Sequence, residues 1–240
     1  MIAAVARDPG PAWHRRRLTV GGHDVELAIA TVDRQDGPEP AAARALAEDV
    51  AAAALERDRR DLRIASLPPS GRPVLLVAGR ATGMAVSISH VEGLVAAAVG
   101  STAGVGIDLV DPAEAGRGLD FWFTPEELAL EPDEGLLRAR LWAAKEAAYK
   151  AAGLDEELRP RSVMIESLAP RTFTWTAHSR FVSAAGSGRF LAAGRHVVAV
   201  AVATRRGASA AEAPAHDDAP PAGAVLPFIH SPVSSEIARP

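Results

Sequence analysis

Residues 141–150 read LWAAKEAAYK, and this stretch decides how the surrounding chain folds. Apart from Leu141 and the alanines, its residues are Trp142, Lys145, Glu146, Tyr149 and Lys150. On a helix, at 100° per residue, these five share an arc of about 140° and alanines cover the remainder. Because a face of small side chains can pack closely on a sheet, we predict a helix from about Glu134 to Ala152 that lies on one.

The same stretch holds both lysines of a chain with 26 lysine and arginine residues in total. An exposed helix face with a Glu146–Lys150 pair, worth about 0.3–0.5 kcal/mol, would also fit the pattern. Arginine would serve equally well in such a pair, whereas a site that needs a compact, titratable ammonium requires lysine. The lysine bias therefore favours a role for Lys145 and Lys150 in a half-closed cleft.

The composition excludes several classes of function. A formal net charge of −4 gives no electrostatic reason to expect nucleic-acid binding. The absence of cysteine excludes disulfides, zinc–thiolate sites and thiol catalysis. The first residues, MIAAVARDPGP, are apolar for only six positions, and no run approaches the length of a membrane span. We expect a cytosolic, monomeric protein without a membrane or nucleic-acid partner.

Strand-like and helix-like segments follow one another twice along the chain. The first half contains a strand at 23–32, an alanine-rich helix at 41–55 and paired apolar strands. The segment 189–203 can be laid over 86–100 with Leu94 opposite Val197. We predict an α+β fold of two similar lobes, each a small, mostly antiparallel sheet on an alanine-rich helix, with the functional site between them. The expected parts are an N-terminal arm (1–18), two lobes (19–103 and 104–206) and a mobile tail (207–240).

Asp108 lies in the strand VGIDLV between Ile107 and Leu109. Strand alternation places it on the same side as Gly106 and Val110. A buried carboxylate is costly without a nearby cation, so Asp108 either caps the following turn or binds a hard divalent ion together with Glu146.

Ser87, Ser89 and His90 end another strand. Two hydroxyl groups and an imidazole would suit an anion, although a hairpin with a locally bonded histidine would fit too. The chain contains no GxSxG, GxxxxGK[ST] or GxGxxG motif, so no serine-hydrolase or Gly-rich phosphate-loop assignment is available.

These segments together resemble the 4′-phosphopantetheinyl transferase superfamily. The resemblance rests on Gly106-Ile107-Asp108 followed by the WxxKEAxxK pattern of Trp142–Lys150. Ser89-His90, Gly-Arg-Pro at 71–73 and Phe-Thr-Pro-Glu-Glu at 123–127 match further elements of the family. Residues 124–127 also have the pattern of a helix start, with Thr124 as N-cap and a glutamate three residues later. The similarity covers roughly residues 40–205 and is closest to the pseudodimeric subgroup, which has two lobes in one chain.

The resemblance implies transfer of phosphopantetheine from coenzyme A to a serine of an apo acyl or peptidyl carrier protein, with release of adenosine 3′,5′-bisphosphate. It implies that Mg²⁺ is bound by Asp108 and Glu146 in the C-terminal lobe. Lys145 and Lys150 would neutralise phosphate and leaving-group charge, and Glu146 or a water that it holds would deprotonate the serine. The residues expected to bind the nucleotide phosphates are Arg72, Ser89 and His90, with Arg17 and Arg44 as further candidates.

One position departs from the family pattern. The pseudodimeric subgroup usually has a second acid two residues after the aspartate, where this chain has Val110. Either the ion has fewer protein ligands or Asp111 turns in to replace the missing acid. A coenzyme A-binding assembly or regulatory protein without catalysis is an alternative, as is a structural α+β protein with a chance motif.

Overall fold

The elements that position the candidate residues are two antiparallel sheets, each covered on one face by a long helix. The computed structural model describes residues 13–33, 38–68, 70–130, 134–154, 158–159 and 161–208. The strands are β1 (Trp13–Val20), β2 (His23–Thr31), β3 (Leu62–Leu67), β4 (Arg72–Val77), β5 (Arg80–Ala81), β6 (Ala85–Val91), β7 (Leu94–Gly100), β8 (Val105–Val110), β9 (Val163–Leu168), β10 (Thr172–His178), β11 (Val182–Ala193) and β12 (His196–Ala208). The helices are α1 (Glu39–Leu55), α2 (Pro125–Leu128) and α3 (Glu134–Ala152), with 3₁₀ turns at Arg59–Asp61 and Arg117–Trp122.

The sheets form the inner layers of the molecule. The first sheet has the strand order β1-β2-β7-β6, the second has β8-β12-β11-β10-β9, and a small third sheet has β3-β4-β5. Leu27 and Ala96 of the first sheet share one core with Ile107 and Val200 of the second. Helix α1 covers the outer face of the first sheet and α3 covers that of the second. The layer order is therefore α1, first sheet, second sheet, α3.

Helix α3 approaches β8 unusually closely, and two glycines permit this approach. A Cβ atom at Gly106 would overlap the carbonyl oxygen of Ala147, and one at Gly104 would overlap that of Ala151. On the helix side, the contacting residues are buried alanines. The helix ends at Gly153, whose φ of +64° lies in the left-handed region that glycine adopts without strain. The alanine face of α3 thus packs directly against the backbone of β8.

Several predicted features are confirmed. The fold is α+β with mostly antiparallel sheets, and α3 has the predicted bounds. Thr124 and Glu127 form a reciprocal capping box, as the sequence pattern indicated, although α2 is only four residues long. No helix within the described residues is long and apolar enough to cross a membrane. The division into two lobes at residues 103 and 104 stays a prediction.

The ends of the chain differ from the predicted parts. Residues 13–18 were assigned to the arm, but they belong to β1, which pairs with β2 over its whole length. Residues 207–208 were assigned to the tail, but they end β12. Residues 1–12 and 209–240 lie outside the described residues, and with them most of both segments.

The predicted alignment of the two hairpins was wrong by one residue. Both hairpins have two-residue turns, at 92–93 and 194–195. Matching these turns pairs Leu94 with His196, and not with Val197. Because side chains alternate between the faces of a sheet, this one-residue slip would exchange the inner and outer faces of the strand.

Gly106→Ala should prevent the close packing of α3 on β8. We expect a loss of about 3 kcal/mol or more in the free energy of unfolding, because the methyl group must displace helix backbone and not a flexible side chain. Urea denaturation of the purified variant would measure this. Gly83→Ala is a matched control, since a Cβ there meets nothing within 4 Å. A Gly106→Ala variant as stable as this control would show that the approach is not tight.

Candidate active site

Strand β8 delivers Asp108 to the face that α3 covers. Ile107 and Leu109 point into the core between the sheets, so alternation turns Asp108 the other way, toward the helix. Asp108 is buried, with 6% of its surface exposed. A carboxylate in this position needs a compensating charge, which the helix provides.

Lys150 supplies that charge from the last turn of α3. Its Nζ lies 2.7 Å from Oδ1 of Asp108 and donates a second bond of 3.2 Å to the carbonyl oxygen of Ile107. Burial by itself lowers the pKa of Lys150, but the negative charges of Asp108 and Glu146 together raise it above its ordinary value. Lys150 is therefore fixed in position by two bonds and is positively charged at neutral pH.

Glu146 lies one turn earlier on α3 and belongs to the same cluster. The pKa of Glu146 is raised from 4.5 to about 7, first by burial and then by the charge of Asp108, while the charge of Lys150 partly opposes the change. Two carboxylates thus share one ammonium group, and the second carboxylate ionises with difficulty. Any further cation at this point would relieve their repulsion.

The donor set of Asp108 and Glu146 fits a magnesium ion. Hard oxygen ligands from one or two carboxylates, completed by water and substrate phosphate, are typical of protein-bound Mg²⁺. In the described part of the chain, no three His, Asp or Glu side chains come together as a ready metal site. Asp108 and Glu146 are the residues that would hold such an ion.

Two serines of β6 connect the edge of the first sheet to the edge of the second. The hydroxyl of Ser87 accepts a bond of 3.0 Å from the amide of Ile107. The hydroxyl of Ser89 accepts one of 3.2 Å from the amide of Leu109 and donates its proton to Oδ1 of Asp108 at 2.9 Å. The predicted contact of Ser89 with a phosphate would have to compete with this bond. In this structure Ser89 orients Asp108.

His90 follows Ser89 and is half-buried near the same cluster. Burial lowers the pKa of His90; the charges of Glu39 and Asp108 act in the opposite sense, and that of Lys150 lowers it further. The imidazole is therefore neutral at neutral pH and can donate one ordinary hydrogen bond. The charge-assisted phosphate bond that the sequence suggested would require it to gain a proton.

Arg72 joins the small sheet to the end of α3. Its Nη2 donates a bond of 2.5 Å to the carbonyl oxygen of Gly153, just beyond the turn that carries Lys150. The structure thus brings Arg72 to the same end of the helix as Lys150, as a role beside a shared anion would require. The four elements β4, β6, β8 and α3 meet at this place.

Part of the chain matches the sequence model of a known protein family. Residues 104–201, from the start of β8 into β12, match the sequence model of the 4′-phosphopantetheinyl transferase superfamily. Over these residues the chain is similar to that superfamily. The matched segment contains Asp108, Glu146 and Lys150, whereas Arg72, Ser89 and His90 precede it. No curated protein matches the chain.

Lys145 occupies a different place from the one that the sequence suggested. It is fully buried, its Nζ lies 2.9 Å from Oε1 of Glu127, and it donates a bond of 2.6 Å to the carbonyl oxygen of Val163. Burial lowers the pKa of Lys145, which Glu127 opposes. Lys145 and Lys150 are about 140° apart around the helix, so they reach opposite sides of it. In this structure Lys145 holds α3 against α2 and β9.

Glu127 is the residue whose importance sequence reasoning missed. Its Oε1 accepts bonds from Lys145 and from the amide of Ile165, and its Oε2 accepts one from the amide of Thr124. The capping box was recognised in the sequence, but only as the start of a helix. The available signal was the second glutamate of Thr124-Pro125-Glu126-Glu127, because a carboxylate that becomes buried needs a cation nearby.

Asp111, the candidate replacement for the missing acid, has partners of its own in this structure. Its Oδ2 pairs with Nη2 of Arg195 at 2.5 Å, and its Oδ1 accepts a bond from the amide of Ala113. Val110 is buried in the core beneath α3. The two further candidates for nucleotide contacts also have partners: Arg17 pairs with Glu26, and Arg44 donates to Ser66.

The raised pKa of Glu146 predicts a specific dependence of stability on pH. Folding raises this pKa from 4.5 to about 7, so the contribution of Glu146 is complete below pH 4.5 and is lost as the pH rises to 7. The free energy of unfolding of the wild type should therefore fall relative to that of Glu146→Gln by about 1–3 kcal/mol over this window. Denaturant titrations from pH 4 to pH 8 would measure the difference. Exposed Glu114→Gln serves as the control, and parallel curves for wild type and Glu146→Gln would refute the shift.

Breaking the Lys145–Glu127 pair should cost stability. We expect Lys145→Met to lose about 3–5 kcal/mol of unfolding free energy, because Glu127 would keep a buried charge without its cation. The double variant Lys145→Met/Glu127→Gln should recover much of that loss, since glutamine removes the charge and retains one acceptor oxygen. Urea denaturation tests both variants. Arg63→Met, at an exposed position of β3, is the control. If the double variant is no more stable than Lys145→Met, the pair is not what Lys145 is needed for.

Proposed function

We propose that this protein transfers 4′-phosphopantetheine from coenzyme A to a serine of an apo carrier protein in a Mg²⁺-dependent reaction. The observation that carries the proposal is the cluster of Asp108, Glu146 and Lys150 within the matched domain. Phosphoryl transfer needs cations and oriented charges around a phosphate more than it needs a covalent nucleophile. The cluster offers such charges and contains no serine–histidine–acid triad.

The reaction exchanges one phosphorus–oxygen bond for another. The serine oxygen forms a bond to the phosphorus that bears pantetheine, and the bond from that phosphorus to the adenosine 3′,5′-bisphosphate oxygen breaks. Glu146 takes the serine proton, directly or through water. A pKa of about 7 makes it a usable base at neutral pH, and a bound cation would keep it ionised. Lys150 neutralises the charge that develops on the departing phosphate and can donate a proton to it.

Mg²⁺ held by Asp108 and Glu146 would neutralise the charge of the pyrophosphate group. Ser89 keeps Asp108 oriented for this role through its 2.9 Å bond. Arg72 and His90 face the nucleotide end of coenzyme A in our proposal, in the cleft where β6 of the first sheet meets β8 of the second. The monomeric state, the two-lobed organisation and the cytosolic location stay predictions.

Intact-mass spectrometry of several apo carrier proteins would test the function. Each is incubated with the protein, coenzyme A and Mg²⁺, and the proposal predicts a gain of one phosphopantetheine on at least one of them. The matched control omits Mg²⁺ and adds a chelator. Binding of Mg²⁺–coenzyme A without transfer to any carrier would favour the non-catalytic assembly or regulatory protein, for which Val110 is the supporting observation. Absence of binding would leave a structural protein.

Replacing Lys150 by arginine should show whether Lys150 acts in the active site or is only a surface cation. The broader guanidinium cannot fit the space between Asp108 and the carbonyl of Ile107 without displacing the bound phosphate, nor can it donate a proton. We expect turnover by Lys150→Arg to fall by about 100-fold or more, with little change in melting temperature. Steady-state kinetics would measure this beside Arg63→Lys, an exposed reciprocal control on β3. Wild-type turnover in Lys150→Arg would exclude the leaving-group role.

A further inference from the structure

A polar groove lies on the second sheet beyond the edge of the first. The second sheet has five strands and the first has four, so part of the inner face of β9, β10 and β11 projects past β1. The hairpin turn between β1 and β2 forms one wall, and the cavity has a volume of about 350 Å³. Its polar lining consists of Thr19, Ser167, Thr172, Thr174, Ser187 and Arg189.

The polar groups that line the cavity are hydroxyls and a cation. It contains five hydroxyl groups and one guanidinium, and none of its residues is a carboxylate. Ser167 and Thr174 lie 2.7 Å apart, so one of these hydroxyls donates to the other and the pair retains one free proton. A surface of hydroxyl donors around a permanent cation is suited to an anion with several acceptor oxygens.

The guanidinium of Arg189 is fixed by one hydrogen bond, but one of its other donors has no acceptor among the described residues. Its Nη1 donates a bond of 3.4 Å to the carbonyl oxygen of Thr19, which anchors the guanidinium to the hairpin turn. Its Nε is buried and has no hydrogen-bond partner among the described residues. A buried donor without a partner is rare in folded proteins and indicates an acceptor that the protein chain does not supply.

The hairpin turn is shaped to close over the groove. Gly21 has a φ of +55°, and a Cβ atom there would lie 3.2 Å from the side chains of both Ser187 and Thr204. A larger residue would push the turn away from the sheet and open the wall that anchors Arg189. The glycine thus keeps Thr19 within reach of the guanidinium.

The groove is separate from the Asp108 cluster. Arg189, Val200 and Ile107 are paired across three adjacent strands and lie on one face of the second sheet. Asp108 belongs to the next row, with Phe190 and Ala199, on the opposite face beneath α3. An anion bound at Arg189 is therefore divided from the catalytic carboxylates by the thickness of the sheet.

We propose that this groove is a second binding site, and that it takes the phosphate group of a small molecule. A phosphate dianion offers three strong acceptor oxygens, which can take the Nε proton of Arg189 and protons from the hydroxyls of Thr172, Ser187 and the Ser167–Thr174 pair. The cavity lies at the lower end of the range of about 300–1,000 Å³ that is typical of small-molecule sites, so there is room for more than the phosphate itself.

Nuclear magnetic resonance of the arginine Nε–Hε groups would test the site in the full-length protein. Inorganic phosphate is titrated in at constant ionic strength. Separate titrations with acetate and with chloride control for carboxylate binding and for a general salt effect. We expect the Arg189 signal, assigned by its absence from Arg189→Gln, to shift saturably with phosphate and not with acetate or chloride. Equal shifts with all three anions would overturn a specific site, and saturation by acetate alone would overturn the phosphate class.

Variants separate this groove from the active site. Isothermal titration should show phosphate binding about tenfold weaker or lost in Arg189→Gln and weaker in Thr174→Val, which keeps the shape of the strand. Arg171→Gln, exposed in the turn between β9 and β10, should bind as the wild type does. Lys150→Gln should leave the Arg189 shift intact. If Lys150→Gln abolishes that shift, or if Thr174→Val and Arg189→Gln both bind normally, the groove is not a phosphate site.

Discussion

The close approach of α3 to β8 is the constraint on which the rest of the structure depends. The helix can lie against the strand only because Gly104 and Gly106 have no side chains and the helix presents alanines. At this separation Lys150 reaches both Asp108 and the backbone of Ile107. A helix held farther out by larger side chains would leave the carboxylate buried without its cation.

Electrostatics at the site follows from that packing. Because the helix covers Asp108, the two carboxylates and the ammonium interact through protein and not through water, and each charge changes the protonation of the others. Glu146 becomes a weak acid that ionises near neutral pH, and a cation beside it would complete its ionisation. The cluster therefore has two carboxylates and one ammonium group, and a bound metal ion would supply the further positive charge.

The two lysines of the opening stretch answer different needs. Lys150 lies in the cluster with Asp108, and Lys145 is enclosed completely with Glu127 and Val163. The side chain of Lys145 has no exposed surface, whereas 28% of that of Lys150 is exposed. The structure therefore gives the two lysines separate partners and surroundings, whereas the sequence suggested one shared task. The serines of β6 also have two roles, since both hydroxyls accept from amides on the edge of β8 that faces away from β12, and that of Ser89 also orients Asp108.

Local pattern was enough to predict the features that depend on neighbouring residues. The bounds of α3, the capping box at Thr124 and the side of β8 on which Asp108 lies all follow from helical and strand periodicity, which is written in consecutive residues. Family resemblance added the grouping of Asp108, Glu146 and Lys150. Only the tertiary structure decided that Lys145 pairs with Glu127, that Ser89 donates to Asp108 and that Asp111 pairs with Arg195. The one-residue shift between the hairpins has the same origin, because apolar residues on both faces of β7 and β12 conceal which face is inner. Such partners are chosen when distant segments pack together, and each choice depends on distances that no short stretch of sequence contains.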